Sequence, residues 1–193
     1  LIGFCGGPFT VLTYMIEGGT SKDHKKIKNF IKHNEKSADE LINLLIEISI
    51  RYLKKQIEAG AEILQVFDSW AGLLHGDIYE RYIINPNKRI FDEIQRVYPN
   101  FPMIFFPRKS GKKLLDFVSK IKCHALSLDD DFPAEILGIA RKKKIVLQGN
   151  LNPNFLLNGG KKMEIQIKKV MEKFKNNLHI FNLSHGILPK TPI

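Results

Sequence analysis

Apolar runs of strand length recur along this chain, separated by stretches with helical spacing. Six of them, Leu1–Cys5, Glu62–Phe67, Pro102–Phe106, Ala125–Leu128, Ile145–Gln148 and His179–Asn182, lack the alternation of a sheet with one wet face. Continuous apolar strands are buried on both faces, as in parallel sheets. Between the first two runs the spacing predicts a long amphipathic helix, roughly Asn34 to Ala59. Ala38, Leu41, Ile42, Leu45, Ile48 and Tyr52 fall on its apolar face. Gly60 ends it, because glycine takes the left-handed conformation past a helix terminus at no steric cost. Further helices are predicted over Asn85–Tyr98, Gly111–Lys120, Pro133–Lys142 and Gly160–Lys175. Asn152 before Pro153 has the form of an N-cap followed by proline at N1.

Strict alternation of strand and helix argues for an α/β fold with right-handed crossovers. Six β units are two short of a closed (β/α)8 TIM barrel. The doubly wound alternative lacks its phosphate fingerprint, since no GxGxxG follows a strand here. No internal repeat or linker interrupts the sequence, so residues 1–193 read as a single domain. The chain opens in mid-strand without methionine and stops soon after a strand. The expectation is therefore a fragment, an incomplete barrel with about six of eight βα units.

The 193 residues are 44% hydrophobic and 26% charged, a balance typical of a soluble globular protein. No apolar run approaches the ~20 residues of a membrane span. Cys5 and Cys123 are far apart and outside any CxxC pattern, which suits a reduced, cytoplasmic chain. The net charge of +10 has two readings: lysines solvated on helix faces, or a field that attracts a polyanion. The scattered lysines fit the first better, and aromatic residues do not alternate with basic ones as on a nucleic-acid platform. No nucleic-acid or membrane partner is expected.

Side chains just beyond the C-terminal ends of parallel strands share one mouth. They are Tyr14; Asp68, Ser69 and Trp70; Arg108 and Lys109; Asp129, Asp130 and Asp131; Asn150 and Asn152; and His185. Each also has a structural reading. Tyr14 reads equally as a core tyrosine with its hydroxyl at the rim. Ser69 reads as a helix cap, as does Asp130 or Asp131 before the helix opened by Pro133. His185 reads as a packed or hydrogen-bonded histidine. The six histidines and two cysteines show no HExxH or paired-cysteine spacing, so no metal site is expected. A GxSxG elbow and a Walker loop are missing too. Lys109, after the third strand, has the chemistry for a Schiff base, but nothing singles it out.

Four segments, taken in order, resemble the uroporphyrinogen decarboxylase family. They are Gly3-Phe4-Cys5-Gly6-Gly7-Pro8-Phe9-Thr10-Val11-Leu12-Thr13-Tyr14-Met15-Ile16-Glu17-Gly18-Gly19, then Gln65-Val66-Phe67-Asp68-Ser69-Trp70-Ala71-Gly72, then Leu147 to Pro153, and Asn182 to Pro192. The resemblance runs almost from end to end. It implies a (β/α)8 barrel with a deep cleft, a homodimer when full length, no cofactor and no metal. The implied reaction removes carbon dioxide from the four acetate side chains of uroporphyrinogen III, giving coproporphyrinogen III. Carried over by position, Tyr14, Ser69 and His185 match family residues that line the cleft and bind substrate. The family aspartate that holds the pyrrole N–H groups, and the arginines that meet substrate carboxylates, belong to two β units upstream of Leu1. No catalytic residue is therefore expected within this chain. Three departures stand out: Ser184 for the usual glycine of NLGHG, Asp130 for the aromatic of LDW, and Asn152 for the aspartate of GNLDP.

Two other readings compete. A zinc- and cobalamin-linked methyltransferase of the same superfamily needs an HxC…C ligand set that the sequence lacks. A basic, non-catalytic binding remnant predicts salt-sensitive binding without turnover.

Overall fold

The computed structural model describes residues 1–19 and 21–192. Among the described residues six strands form one parallel sheet: β1 (Ile2–Gly6), β2 (Ile63–Asp68), β3 (Met103–Pro107), β4 (Ala125–Ser127), β5 (Val146–Leu151) and β6 (His179–Leu183). Every predicted run is a strand to within one residue at each end, except that β5 continues to Leu151. The strands lie side by side in sequence order. That order belongs to a barrel wall, since a doubly wound sheet reverses direction at its switch point.

The wall is curled. Register aligns Phe4, Gln65, Ile104 and Ala125 on one face of the sheet. On that face Gln148 of β5 donates to the Gln65 carboxamide of β2 at 3.4 Å, and to Ser127 Oγ at 3.2 Å. On a flat sheet β2 and β5 lie about 14 Å apart with side chains standing parallel. Contact between their amides requires an inner, concave face. The Phe4, Phe67 and Phe106 rings form a ladder on the same face, at 5.8 and 6.3 Å. The fold is thus a six-unit arc of the (β/α)8 type.

The convex face carries the main core. Leu64, Val66, Met103, Phe105, Leu126 and Leu147 point outward and are fully buried under the helices. Those helices are α1 (Pro8–Glu17), α2 (Lys25–His33), α3 (Glu35–Glu58), α4 (Gly76–Tyr79), α5 (Asn85–Val97), α6 (Lys113–Lys120), α7 (Glu135–Lys143), α8 (Pro153–Asn158) and α9 (Gly160–Phe174). A π-helical turn, Glu80–Ile84, joins α4 to α5. No described helix is long and apolar enough to cross a membrane.

α1 and α2 were not anticipated from the sequence, where Gly6-Gly7-Pro8 reads as a turn. Pro8 instead occupies the first helical position, where its missing N–H costs nothing. α3 runs where expected, but its buried face is rotated. Ala38, Ile42, Leu45, Ile46, Ser49 and Leu53 face the core, whereas Ile48 and Tyr52 are exposed. At 100° per residue the helix carries two neighbouring apolar stripes, and only one meets the sheet. Its end is as expected. Gly60 takes φ 99°, its N–H donates to Ile57 O, and Ala61 N–H donates to Gln56 O, both at 2.9 Å. These are the paired bonds of a Schellman terminus.

The Gln56 side chain also leaves α3 for the sheet. Its Oε1 accepts from Phe4 N–H at 2.6 Å, and its Nε2 donates to Phe4 O at 3.0 Å. A carboxamide therefore pairs with the edge of β1 that no described strand occupies.

Candidate active site

All six strands point their C-terminal ends the same way, so the turns after them form one rim. A cleft of about 500 Å³ opens there, walled by Arg108, Asp129, Asn152, Ser184 and His185 among others. His185 follows β6 by two residues and is exposed to this cleft. It is neither packed nor hydrogen-bonded among the described residues, so its structural reading is set aside.

Ser69 and Tyr14 stand at the opposite end of the same rim, four strands away, and do not line this cleft. Ser69 lies half-buried in the turn after β2. It caps no helix; the 3₁₀ turn Ala71–Leu73 that follows has Trp70 as its N-cap and no side-chain cap. Tyr14, in the second turn of α1, is 44% exposed, which rules out the core reading. It meets Trp70 edge-on, with ring centroids 6.1 Å apart. The structure thus brings Tyr14 to the residue beside Ser69 and holds His185 apart from both, on the same side of the sheet. Arg108 connects the two groups: its N–H donates to Asp68 O at 3.1 Å, and its carbonyl accepts from Gly72 N–H at 3.0 Å.

Asp68 organises the Ser69 side, and sequence reasoning gave it no such role. Its carboxylate is fully buried, accepting from Thr10 Oγ1 at 2.7 Å and Asn87 Nδ2 at 3.0 Å. Thr10 Oγ1 in turn accepts from Trp70 N–H at 3.3 Å. The π-helical turn delivers Asn87, which also donates to Ile83 O at 2.8 Å. Gly7 is indispensable here: a Cβ on it would stand 2.6–2.9 Å from the Asp68 carboxyl atoms. The only hint in the sequence was a threonine three residues past the first glycine pair, which by itself means little.

Burial pushes the Asp68 carboxyl up to about 6, against the lowering effect of its Thr10 and Asn87 donors. The folded value thus exceeds the unfolded one, so the native state binds this proton more tightly. Stability from this group is full below the unfolded value and is lost as pH rises toward 6. The loss is on the order of 3 kcal/mol at 1.36 kcal/mol per pK unit. The urea-unfolding free energy should therefore fall between pH 4 and pH 7 more steeply in the parent than in Asp68→Asn. Parallel pH profiles for the two would show that Asp68 is not a buried, ionising group.

Around His185 two of the three acids that line the cleft, Asp129 and Asp130, have partners. Asp129 accepts from Lys109 N–H at 2.6 Å and faces Arg108 Nε at 3.7 Å, and burial raises its pKa above the usual carboxylate value. Asp130 accepts from the Asn152 side chain, so the charge standing in place of an aromatic is held by the cap of α8. Asn152 Oδ1 accepts from Asn154 N–H at 2.9 Å, as its sequence context predicts. The suggested capping of α7 by Asp130 or Asp131 does not occur; Ala134 is its N-cap, without a side-chain bond. Ser184 is buried and is not among the positive-φ residues, so the usual glycine is not needed there for backbone conformation. Lys109 does have a left-handed backbone, φ 57°, and stands exposed on the wall of the same cleft. Among the described residues no group of three or more His, Cys, Asp or Glu side chains could hold a metal ion. Cys5 and Cys123 are free and buried, and burial pushes both thiols up to about 12.

The model of the uroporphyrinogen decarboxylase (URO-D) family matches residues 1–193. The uroporphyrinogen decarboxylase of Wolbachia sp. subsp. Brugia malayi is 42% identical over 193 residues, covering 100% of this chain and 54% of that protein. Its counterpart from Rickettsia bellii is 39% identical over 192 residues, covering 100% and 56%. The chain spans about half the length of the curated relatives it matches. Among solved structures, a methyltransferase from Methanosarcina mazei superposes with TM-score 0.74 at 20% identity, over 99% of this chain and 54% of that one. That likeness concerns the fold alone. With its four motifs at strand ends and a family match over its whole length, the chain belongs to the uroporphyrinogen decarboxylase family.

Proposed function

We propose that the protein carrying this chain converts uroporphyrinogen III to coproporphyrinogen III, as a cytoplasmic, homodimeric, cofactor-free carboxy-lyase. The observation that carries this reading is the free imidazole of His185 on the rim cleft, within the Asn182–Pro192 segment that resembles the family's final motif. Tyr14 and Ser69 supply hydroxyls farther along the same rim. The positive balance of the chain favours a substrate with eight carboxylates.

The chemistry asks little of the protein. A proton adds to the pyrrole α-carbon next to the one that bears the acetate arm, leaving a cationic ring. The bond between the arm's methylene and its carboxylate then breaks, its electrons flow into the ring, and carbon dioxide departs. A second proton on the methylene completes a methyl group, and loss of the first proton from the α-carbon restores the pyrrole. The tetrapyrrole is its own electron sink, so the side chains need only hold and orient it. In this reading Tyr14 and Ser69 donate hydrogen bonds to substrate carboxylates, and His185 does so when protonated. The acid that supports the cation is supplied from outside these 193 residues.

Anaerobic incubation of the protein carrying this chain with uroporphyrinogen III tests the reading. Chromatography of the oxidised products should show porphyrins with seven, six, five and then four carboxylates. Unchanged octacarboxylate alongside salt-sensitive binding of nucleic acid would favour a non-catalytic basic binder. Stoichiometric zinc with methyl transfer would favour the methyltransferase reading.

A further inference from the structure

Three rings from separate segments meet in a row at the Tyr14 end of the rim, edge-on and tilted to one another. His24, at the foot of α2, is 5% exposed and lies 4.2 Å from Trp70 between ring centroids. Trp70 in turn meets Tyr14. Two features make the inner pair unusual. The His24 backbone is left-handed at φ 52°, a conformation that a non-glycine residue adopts only at a cost. Among the described residues the His24 Nδ1 and the Trp70 Nε1–H are both buried without a hydrogen-bond partner, which is rare for polar atoms in a folded interior. Strain and unpaired polarity that gather at one place, where plain apolar rings would pack without either, point to a constraint other than stability.

The stack is tied at both ends. Trp70 N–H is held through Thr10 to the buried Asp68. His24 N–H donates to Ser21 Oγ at 3.1 Å, and the Glu17 carboxylate accepts from Ile27 N–H at 3.0 Å. The second of these bonds fastens the first turn of α2 to the last turn of α1, the helix that carries Tyr14. His24 and Tyr14 thus both pack against Trp70.

We infer that His24 is a positioning residue: acting through Trp70, it sets the ring of Tyr14, and so the place where the phenol meets a substrate carboxylate. The inference rests on the decarboxylase reading for its functional half. His24 itself touches neither the cleft nor the substrate.

Trp70 is the single tryptophan of the 193 residues. Its fluorescence, taken as the difference from a Trp70→Phe variant, reports on the stack directly. In His24→Ala, acrylamide quenching of that signal should rise at least twofold. His24→Phe restores a ring against the indole and should return quenching to the parent value. In turnover of uroporphyrinogen, His24→Ala should lose about tenfold in kcat/KM, and His24→Phe should stay within twofold of the parent. A double-mutant cycle separates positioning from mere support of the fold. On a Tyr14→Phe background, His24→Ala should cost nothing further if it acts through the phenol. Additive losses, or unchanged Trp70 quenching in His24→Ala, overturn the inference. A parent protein that leaves uroporphyrinogen untouched while His24→Ala still unshields Trp70 overturns the decarboxylase reading and keeps the packing role of His24.

Discussion

Replacing His185 by alanine in the protein that carries this chain is expected to lower kcat/KM for uroporphyrinogen by ten- to a hundredfold, with no change in the unfolding midpoint. The imidazole is exposed on the rim cleft and supports no neighbour, so its removal leaves no cavity and orphans no buried group. What goes is a hydrogen bond to a substrate carboxylate. When one partner is charged such a bond contributes about 1.5–3 kcal/mol, which at 1.4 kcal/mol per decade spans that range of rates. Tyr14→Phe removes a comparable donor and should follow the same pattern at the lower end. Parent kinetics in both variants would take His185 and Tyr14 out of the site. A loss of activity that tracks a loss of fold would instead make them structural.

The largest expected effect on stability lies under α5 and α6. Phe105, at the middle of β3, is fully buried and packs against Phe91 at 6.2 Å and Phe117 at 6.0 Å. Phe105→Ala should cost about 3–5 kcal/mol, because the rings around it belong to two separate helices and can close the void only partly. Against the roughly 5–15 kcal/mol of a typical domain this is a large share. Urea denaturation measures it. Phe4→Ala is the matched control when both substitutions are made in the 193-residue chain, where Phe4 on the concave face is 60% exposed and the change should cost far less. Equal costs for the two would mean that the assignment of convex and concave faces is wrong. β3 also ends beside Arg108, so Phe105→Ala should loosen the link between the Asp68 turn and the His185 cleft before the whole fold fails.

How much of this was legible in the sequence differs by element. The strands were legible as apolar runs, although only β2 to β5 are buried on both faces as expected, whereas β1 alternates and β6 is largely exposed. Sequence order of strands was not; it became visible only as hydrogen-bonded register. α1 was hidden by Gly6-Gly7-Pro8, where turn chemistry and a proline-started helix look alike. α2 was hidden by lysines, its apolar content reduced to Ile27, Phe30 and Ile31. On α3 the residues were right and the orientation was not, since periodicity finds a stripe without saying which neighbour it meets. At the site, the motif positions of Tyr14, Ser69 and His185 could be read, as could their common rim. Asp68 and His24 could not. Their significance lies in burial and in missing or shared partners, and these exist only once distant segments meet.

The carboxamide of Gln56 on β1 has a consequence for assembly. A side-chain amide offers one donor and one acceptor, the same pair that a single peptide group on an adjoining strand would present. Any polypeptide that annexes this border must first evict Gln56, giving up two contacts to form its own first two. Recruitment would then begin with no net gain and become favourable only as further residues zip along, so brief encounters are rejected and sustained ones accepted. A strand that docks on this border therefore has to be long enough to outlast the exchange.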